Sequence, residues 1–435
     1  TYEGGYVTIK AGDSIYLHNV GNDPGSTDYY NEDYDYYYDD AHKYQANLWA
    51  IYGKIDLTTK EGTISVDNKG SIAALAEYGS EINFNGNTII PEAGIGARSE
   101  TGGTINFNAD TVMKKVDIGA WTQTDLEDEI TPWHWDEISK VNFNGPLTIV
   151  QAKTGAVAKL DSDIIFNDAL MIQAEGDAFY TKWAGRIQTL TEGVDKVIKG
   201  NMRAYNGQID ALFDTPDSSF TGFTELRDID KVYSSNEEEY PDDGTCPLEP
   251  GPGDCGDVEY PDEEILDEGT CPAETEPGDC GGGIDYGGCE EPFIDEGSHI
   301  NITLRNGAFW DVTGDSTLTK LDNDSLVNMS DAAHTGTSIT AKNLSGTGTI
   351  HMDLDWTSNG GAKEKTEHSD YIVATESATG TQSVVVSDQN AMHLDEMGID
   401  DRLYFATLTN SDAVFTSPIT QKNVTKGSLY DYTIG

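Results

Sequence analysis

Four short segments of this 435-residue chain share one pattern: SEINFNG at 80–86, GTINFNA at 103–109, SKVNFNG at 139–145 and SDIIFND at 162–168. Their phenylalanines, Phe84, Phe107, Phe143 and Phe166, lie 23, 36 and 23 residues apart. A second element precedes each: AALA ending at Ala76, GIGA at Ala97, DIGA at Ala120 and AVA at Ala158. Each copy thus holds two short alternating strands with Gly, Asn or Asp at the corners. Such a unit cannot bury an apolar face alone. Stacking solves this, because each strand then pairs in parallel with its counterpart one unit away and the inward Ile, Val and Phe form a continuous ladder. Small Ala and Gly suit a tight corner of a narrow interior. The pattern predicts an all-β chain folded as a right-handed parallel β-helix. A β-sandwich has strands at similar spacing but does not require INFN to recur at a fixed 23-residue period.

The 36-residue gap is 23 plus 13, and the excess falls between Ala120 and Phe143. It marks an insertion, WTQTDLEDEITPWHWDEIS at 121–139, which brings Trp121, Trp133 and Trp135 to the surface. An earlier insertion, at about 21–44, contains TDYYNEDYDYYYDDAHKY, with seven tyrosines and six acids in eighteen residues. It lies between YVTIKAGDSIYL and LWAIYGKIDL, a divergent early copy of the repeat. KVIKGNMRAYNGQIDALF (196–213) and DSSFTGF (217–223) read as further rungs. Residues 224–297 then become rich in Asp, Glu, Gly and Pro. They hold a tighter repeat, GTCPLEPGPGDCG at 244–256 and GTCPAETEPGDCG at 269–281. Regular alternation resumes at 298. The expected organisation is rungs over 1–223, an acidic insertion over 224–297, and C-terminal rungs with a capping region over 298–435.

With 26 basic and 77 acidic residues the formal charge is −51, which repels nucleic acid and anionic membrane surfaces. The sequence contains no apolar run of transmembrane length. The alternating opening, TYEGGYVTIKAGDSIYL, reads as the start of a mature secreted protein. All five cysteines lie between Cys246 and Cys289, as local pairs in an acidic, glycine-rich stretch, which suggests an oxidising, extracytoplasmic setting.

The runs FWDVTGDSTLTKLDNDSLVNMSD, SITAKNLSGTGTIHMDLDW, SDYIVATESATGTQSVVVSD and GSLYDYTIG occur in order over 300–435. This series resembles the C-terminal half of pertactin-like autotransporter passengers of type V secretion. The rungs at 50–223, with their AIYG, ALA and GGTINFN phrases, resemble the self-associating adhesins of the same group. The resemblance implies an extracellular passenger exported through the outer membrane of a Gram-negative-type bacterium and presented by a barrel; no barrel strands are read after Gly435. It also implies that the C-terminal rungs act as a folding nucleus. Such passengers are usually cysteine-poor, so the five cysteines depart from the pattern.

AGDSIY (11–16) and TGDSTL (313–318) contain Gly-Asp-Ser, but neither continues as a protease nucleophile segment, and Asp and Ser favour corners. A β-helix polysaccharide lyase or hydrolase needs convergent carboxylates and a basic residue. With 77 acids no pair is informative, and no Arg or Lys cluster marks a site. No catalytic residue is assigned, and no activity is expected. No cofactor is expected either; Ca²⁺ at NEDYDYYYDD, or more weakly at LDNDSLVN (321–328), is the one candidate, against a solvated acidic loop. The cysteines favour two local disulfides, Cys246–Cys255 and Cys271–Cys280, over a zinc site, since no histidine lies among them. Cys289 is left over, and it has the same nine-residue separation from Cys280.

Binding remains. Tyrosine supplies rigid amphipathic contact area at low entropic cost, and insertions on a repeat scaffold carry function. The candidate ligand contacts are Tyr29, Tyr30, Tyr34, Tyr36, Tyr37 and Tyr38, with Trp121, Trp133 and Trp135. The expected function is a cell-surface adhesin that attaches to a host, matrix, glycan or microbial partner and supports biofilm formation. Autoaggregation by self-recognition is the alternative.

Overall fold

The structure, a computed structural model, describes residues 5–19, 46–124, 138–227, 297–386, 393, 396 and 400–416. Strand makes up 64 % of the structure with almost no helix, and every strand pairing among the described residues is parallel. Phe84 pairs with Phe107, Phe107 with Phe143 and Phe143 with Phe166, so neighbours on the ladder are one sequence repeat apart. Each rung contributes three short strands. One ladder runs through Thr104–Phe107, Lys140–Phe143 and Asp163–Phe166. A second runs through Thr111–Lys114, Leu147–Ala152 and Ser219–Gly222. A third runs through Ala93–Glu100, Val116–Gln123 and Thr154–Lys159. The single helix among the described residues is one turn, Trp356–Asn359. No described helix is long and apolar enough to cross a membrane.

Alternation decides what lies inside. Ile105 and Phe107 are buried, while Asn106 and Asn108 point outward. The inward phenylalanines stack nearly face to face: Phe84 on Phe107 at 4.6 Å, Phe107 on Phe143 at 4.9 Å, Phe143 on Phe166 at 5.3 Å and Phe166 on Phe179 at 5.5 Å between centroids. A second aromatic run, Phe213–Phe220–Trp310, continues the interior, and the Trp310 indole N–H donates to the Gly222 carbonyl at 2.9 Å.

Outside, the asparagines form two amide ladders. Asn142 donates to Asn106 and Asn106 to Asn83, each at 2.8 Å. Asn167, Asn144, Asn108 and Asn85 do the same one position further round. The sequence reading placed asparagine at corners. Asn83, Asn106 and Asn142 instead sit within strands, where identical amides one rung apart satisfy each other.

The insertions leave the ladder in register. Phe107 and Phe143 pair although 125–137 intervenes, and Gln208–Phe213 pairs with His299–Leu304 across 228–296. Two expectations need correction. In register Ala97 and Ala120 align with Ala74 and Ala156, not with Ala76 and Ala158, which sit two residues further along. The strand Val116–Gln123 also runs through Trp121, so the insertion begins after it. Trp121 is only 6 % exposed, because its rung position places it among Ile72, Leu75, Ile95, Ile118 and Val157.

Candidate functional site

Trp121 belongs to an outward column set by the third ladder: Trp49, Leu75, Arg98, Trp121, Val157, Tyr180 and Arg203 are successive neighbours. Outward residues of a sheet normally meet water, yet Leu75 and Val157 are fully buried and Arg98 is 2 % exposed. The cations here lie against rings. Arg98 is 5.5 Å and Lys159 5.1 Å from the Trp121 centroid, and Lys182 is 3.8 Å from that of Trp183. Arg98 also pairs with Glu100. Where the chain re-enters the first ladder at Lys140, a recess is lined by Gly79, Ser80, Glu81, Gly102, Thr104, Ile138 and Lys140. Of the sequence-predicted contacts, Trp121 alone is described. Tyr29, Tyr30, Tyr34, Tyr36, Tyr37, Tyr38, Trp133, Trp135, Cys246, Cys255, Cys271, Cys280 and Cys289 lie outside the described residues, as does NEDYDYYYDD.

Both Gly-Asp-Ser segments lie at corners. Ser14 accepts the Thr63 backbone N–H at 3.0 Å, and Ser316 donates to the Gly314 carbonyl at 3.0 Å. In LDNDSLVN the acids serve the next rung: Asp322 accepts from Ser345, and Asp324 from the Thr347 N–H and hydroxyl. Among the described residues no group of three or more His, Cys, Asp or Glu side chains is placed to hold a metal.

The densest polar constellation was not singled out from the sequence. After the strand Thr349–Met352 the chain turns through Asp353-Leu354-Asp355, and all three are buried. Asp370 is buried against them. Its carboxyl accepts the Thr337 N–H and the Asp353 N–H, both at 2.7 Å, while its own N–H donates to the Asp353 carbonyl. The Asp353 carboxyl accepts from the Ser330 hydroxyl at 2.8 Å and the Asp331 N–H at 3.1 Å, and His334 Nδ1 lies 3.1 Å away. Asp355 caps the one-turn helix by accepting the Ser358 N–H, and it pairs with His393 at 2.8 Å. Two buried aspartates are thus each met by a histidine from the solvent side. Ser330 bonds to Asp353 and not to His334, so this is not a serine–histidine–aspartate relay. It is a clamp joining four chain segments, around 330–337, 353–358, 370 and 393. A second buried ion is Lys196, whose ammonium donates to the Thr191 carbonyl and lies 3.7 Å from Asp214; burial lowers its pKa.

The clamp has a signed pH dependence. Burial, reinforced by Asp353 and Asp331, pushes the Asp370 carboxyl up to about 8 against the pull of its two backbone bonds. Its stabilising contribution is complete below the ordinary carboxylate pKa and is lost as pH rises through about 8. Asp355 behaves oppositely. Burial opposes its ionisation, but the bonds from His393, Thr357 and Ser358 win and hold it below the usual range. Its contribution is present above the usual carboxylate pKa and is lost as pH falls through its depressed value. Hydrogen exchange of the strand Tyr371–Ala378 should therefore be slowest, after correction for intrinsic rates, near pH 5, and should quicken toward pH 8. Asp370→Asn should weaken the region by roughly 1–3 kcal/mol at pH 5, since its amide faces a backbone N–H. It should also flatten the slope between pH 5 and 8; an unchanged slope would remove Asp370 from the account.

Residues 318–435, which contain the whole Asp353–Asp355–Asp370 clamp with His334 and His393, match the family model described as Pertactin. No curated protein matches the chain. This C-terminal part of the chain is thus similar to the Pertactin family over 318–435, which is consistent with a pertactin-like autotransporter passenger domain.

Proposed function

We propose that the chain is an adhesin passenger displayed at the bacterial cell surface. Its stacked ladders wind as a right-handed parallel β-helix, and its insertions contact a host, matrix, glycan or microbial partner. The observation that carries this reading is a ladder ending in a pertactin-type segment that stays in register across 125–137 and 228–296. A scaffold that accepts insertions without losing its pairing is suited to presenting variable loops. Tyr29, Tyr30, Tyr34, Tyr36, Tyr37 and Tyr38 are the proposed primary contacts, with Trp133 and Trp135 as the second set. Trp121, buried in its rung, supports the loop base instead. A charge of −51 favours a glycan or a basic protein over nucleic acid or an anionic membrane. The reading needs no cofactor and no catalysis, and Ca²⁺ is the one ion to add to a binding assay. Local bridges Cys246–Cys255 and Cys271–Cys280 are compatible with export through a narrow pore.

The test replaces 27–40 by a short Gly-Ser link in the displayed chain. Adhesion to a glycan and matrix-protein panel should fall at least tenfold (about 1.4 kcal/mol) with the thermal transition unmoved. Undiminished adhesion removes that insertion from the reading. Turnover of an acidic polysaccharide, abolished by one aspartate substitution, would replace the reading with an enzymatic one.

A further inference from the structure

The second ladder carries an outward stripe that the clamp does not use. Ile89, Val112, Thr148, Met171 and Val197 are successive neighbours on it, and two rungs further the stripe reaches Phe309. Ile89, Met171 and Phe309 are 37 %, 38 % and 39 % exposed, a high value for large apolar side chains on one line. Two rungs of this stripe share a motif: Asp110-Thr111-Val112-Met113-Lys114 and Asp195-Lys196-Val197-Ile198-Lys199. The second and fourth residues of each copy, Thr111 and Met113 in one and Lys196 and Ile198 in the other, face inward and are buried. Outward, each rung presents an exposed aspartate, a half-buried valine and an exposed lysine, in that order. The acid and base of one rung are four residues apart, about 13 Å along a strand, which is too far to pair with each other.

We propose that this stripe is the interface with a second copy of the chain, the two copies lying parallel about a two-fold axis along the stripe. Such an axis reverses left and right across the face while keeping each rung level with its twin. Asp110 of one copy then meets Lys114 of the other, and Asp195 meets Lys199, while Val112 and Val197 each face themselves on the axis. A two-fold contact needs a self-complementary patch of this kind. An antiparallel arrangement centred between these rungs instead sets Lys114 against Lys199 and Asp110 against Asp195, so the charges select the parallel one. The net charge of −51 opposes association, but these rungs are locally neutral and distant charges are screened beyond about 8 Å at physiological salt. Seven rungs at about 4.8 Å and three outward columns give on the order of 550–600 Å² per copy, at the lower end of stable interfaces. This pairing joins copies side by side and does not depend on what the insertions bind.

The test is sedimentation equilibrium of the full chain with a charge-swap series. Wild type should show a monomer–dimer equilibrium. Lys114→Asp with Lys199→Asp should weaken association at least tenfold, with thermal unfolding confirming an intact fold. Adding Asp110→Lys and Asp195→Lys to that variant should restore homodimers, because the order of signs is reversed in both copies, and such chains should fail to pair with wild type. Three outcomes overturn the proposal: a monomer at all concentrations, including one whose stripe proves to bind a different protein; a dimer indifferent to the double substitution; or a fourfold variant that pairs with wild type as well as with itself.

Discussion

Phe143→Ala should cost about 3–5 kcal/mol, the range for removing a large buried aromatic, and should be among the most damaging single truncations in the first half of the chain. Phe143 is 1 % exposed and lies between Phe107 and Phe166, stacked on both. Removing it opens a void in the middle of a four-interface stack, where the neighbouring rings are fixed by their own strands and cannot close inward. Parallel strands held by backbone bonds on both sides leave little room for collapse, so the cavity contribution adds to the lost transfer energy. Phe84→Ala, nearer one end of the stack, should cost less. Urea denaturation followed by tyrosine or tryptophan fluorescence would give both values; equal and small losses would contradict a continuous aromatic interior.

Gly119→Ala should also be destabilising, by about 1–3 kcal/mol or more, although alanine usually stabilises a strand relative to glycine. A methyl group at this position would lie 2.5 Å from the Gly155 carbonyl oxygen and 2.6 Å from Ile149 Cδ1. Gly96 and Gly155 meet the same obstruction one rung to either side: their methyl groups would fall 2.6 Å from the Gly119 carbonyl and 2.5 Å from the Ala178 carbonyl. A side-chain clash can relax by rotation. A clash with a carbonyl engaged in the ladder can relax only by shifting a rung. The predicted signature is a lower unfolding midpoint at an unchanged denaturant slope. A neutral or stabilising substitution would show that the interior along this strand is looser than these distances imply.

The ladder was legible because Phe84, Phe107, Phe143 and Phe166 recur in one strand motif, 23 residues apart except where the insertion intervenes. The 13-residue excess between Phe107 and Phe143 was legible for the same reason. The register of the third ladder was not, because Ala74 and Ala76, or Ala156 and Ala158, look alike in sequence and only pairing tells them apart. Trp121 was misplaced because an aromatic beside an acidic stretch reads as part of it, whereas its neighbours Arg98 and Val157 are distant in sequence and adjacent in space. The aspartate clamp was hidden by composition. Among 77 acids, Asp353 and Asp370 carry no mark, and what distinguishes them is burial and a shared set of backbone donors. The family-level reading of the C-terminal motifs holds over 318–435.

The central structural claim is that one parallel ladder continues through the insertions. The most direct measurement crosses the longest one. Asp210 and Asn301 are register neighbours on either side of 228–296, and the Asn301 amide donates to Asp210 at 2.8 Å. Cysteines on adjacent parallel strands fall within bridging range, so Asp210→Cys with Asn301→Cys should cross-link on mild oxidation. Peptide mass mapping would identify the link among those of the native cysteines. Asp210→Cys with Thr303→Cys, two residues out of register, should not. Efficient linking of the in-register pair alone is the predicted result. Linking of the offset pair, or of both pairs equally, would contradict a ladder that keeps its register across the insertion.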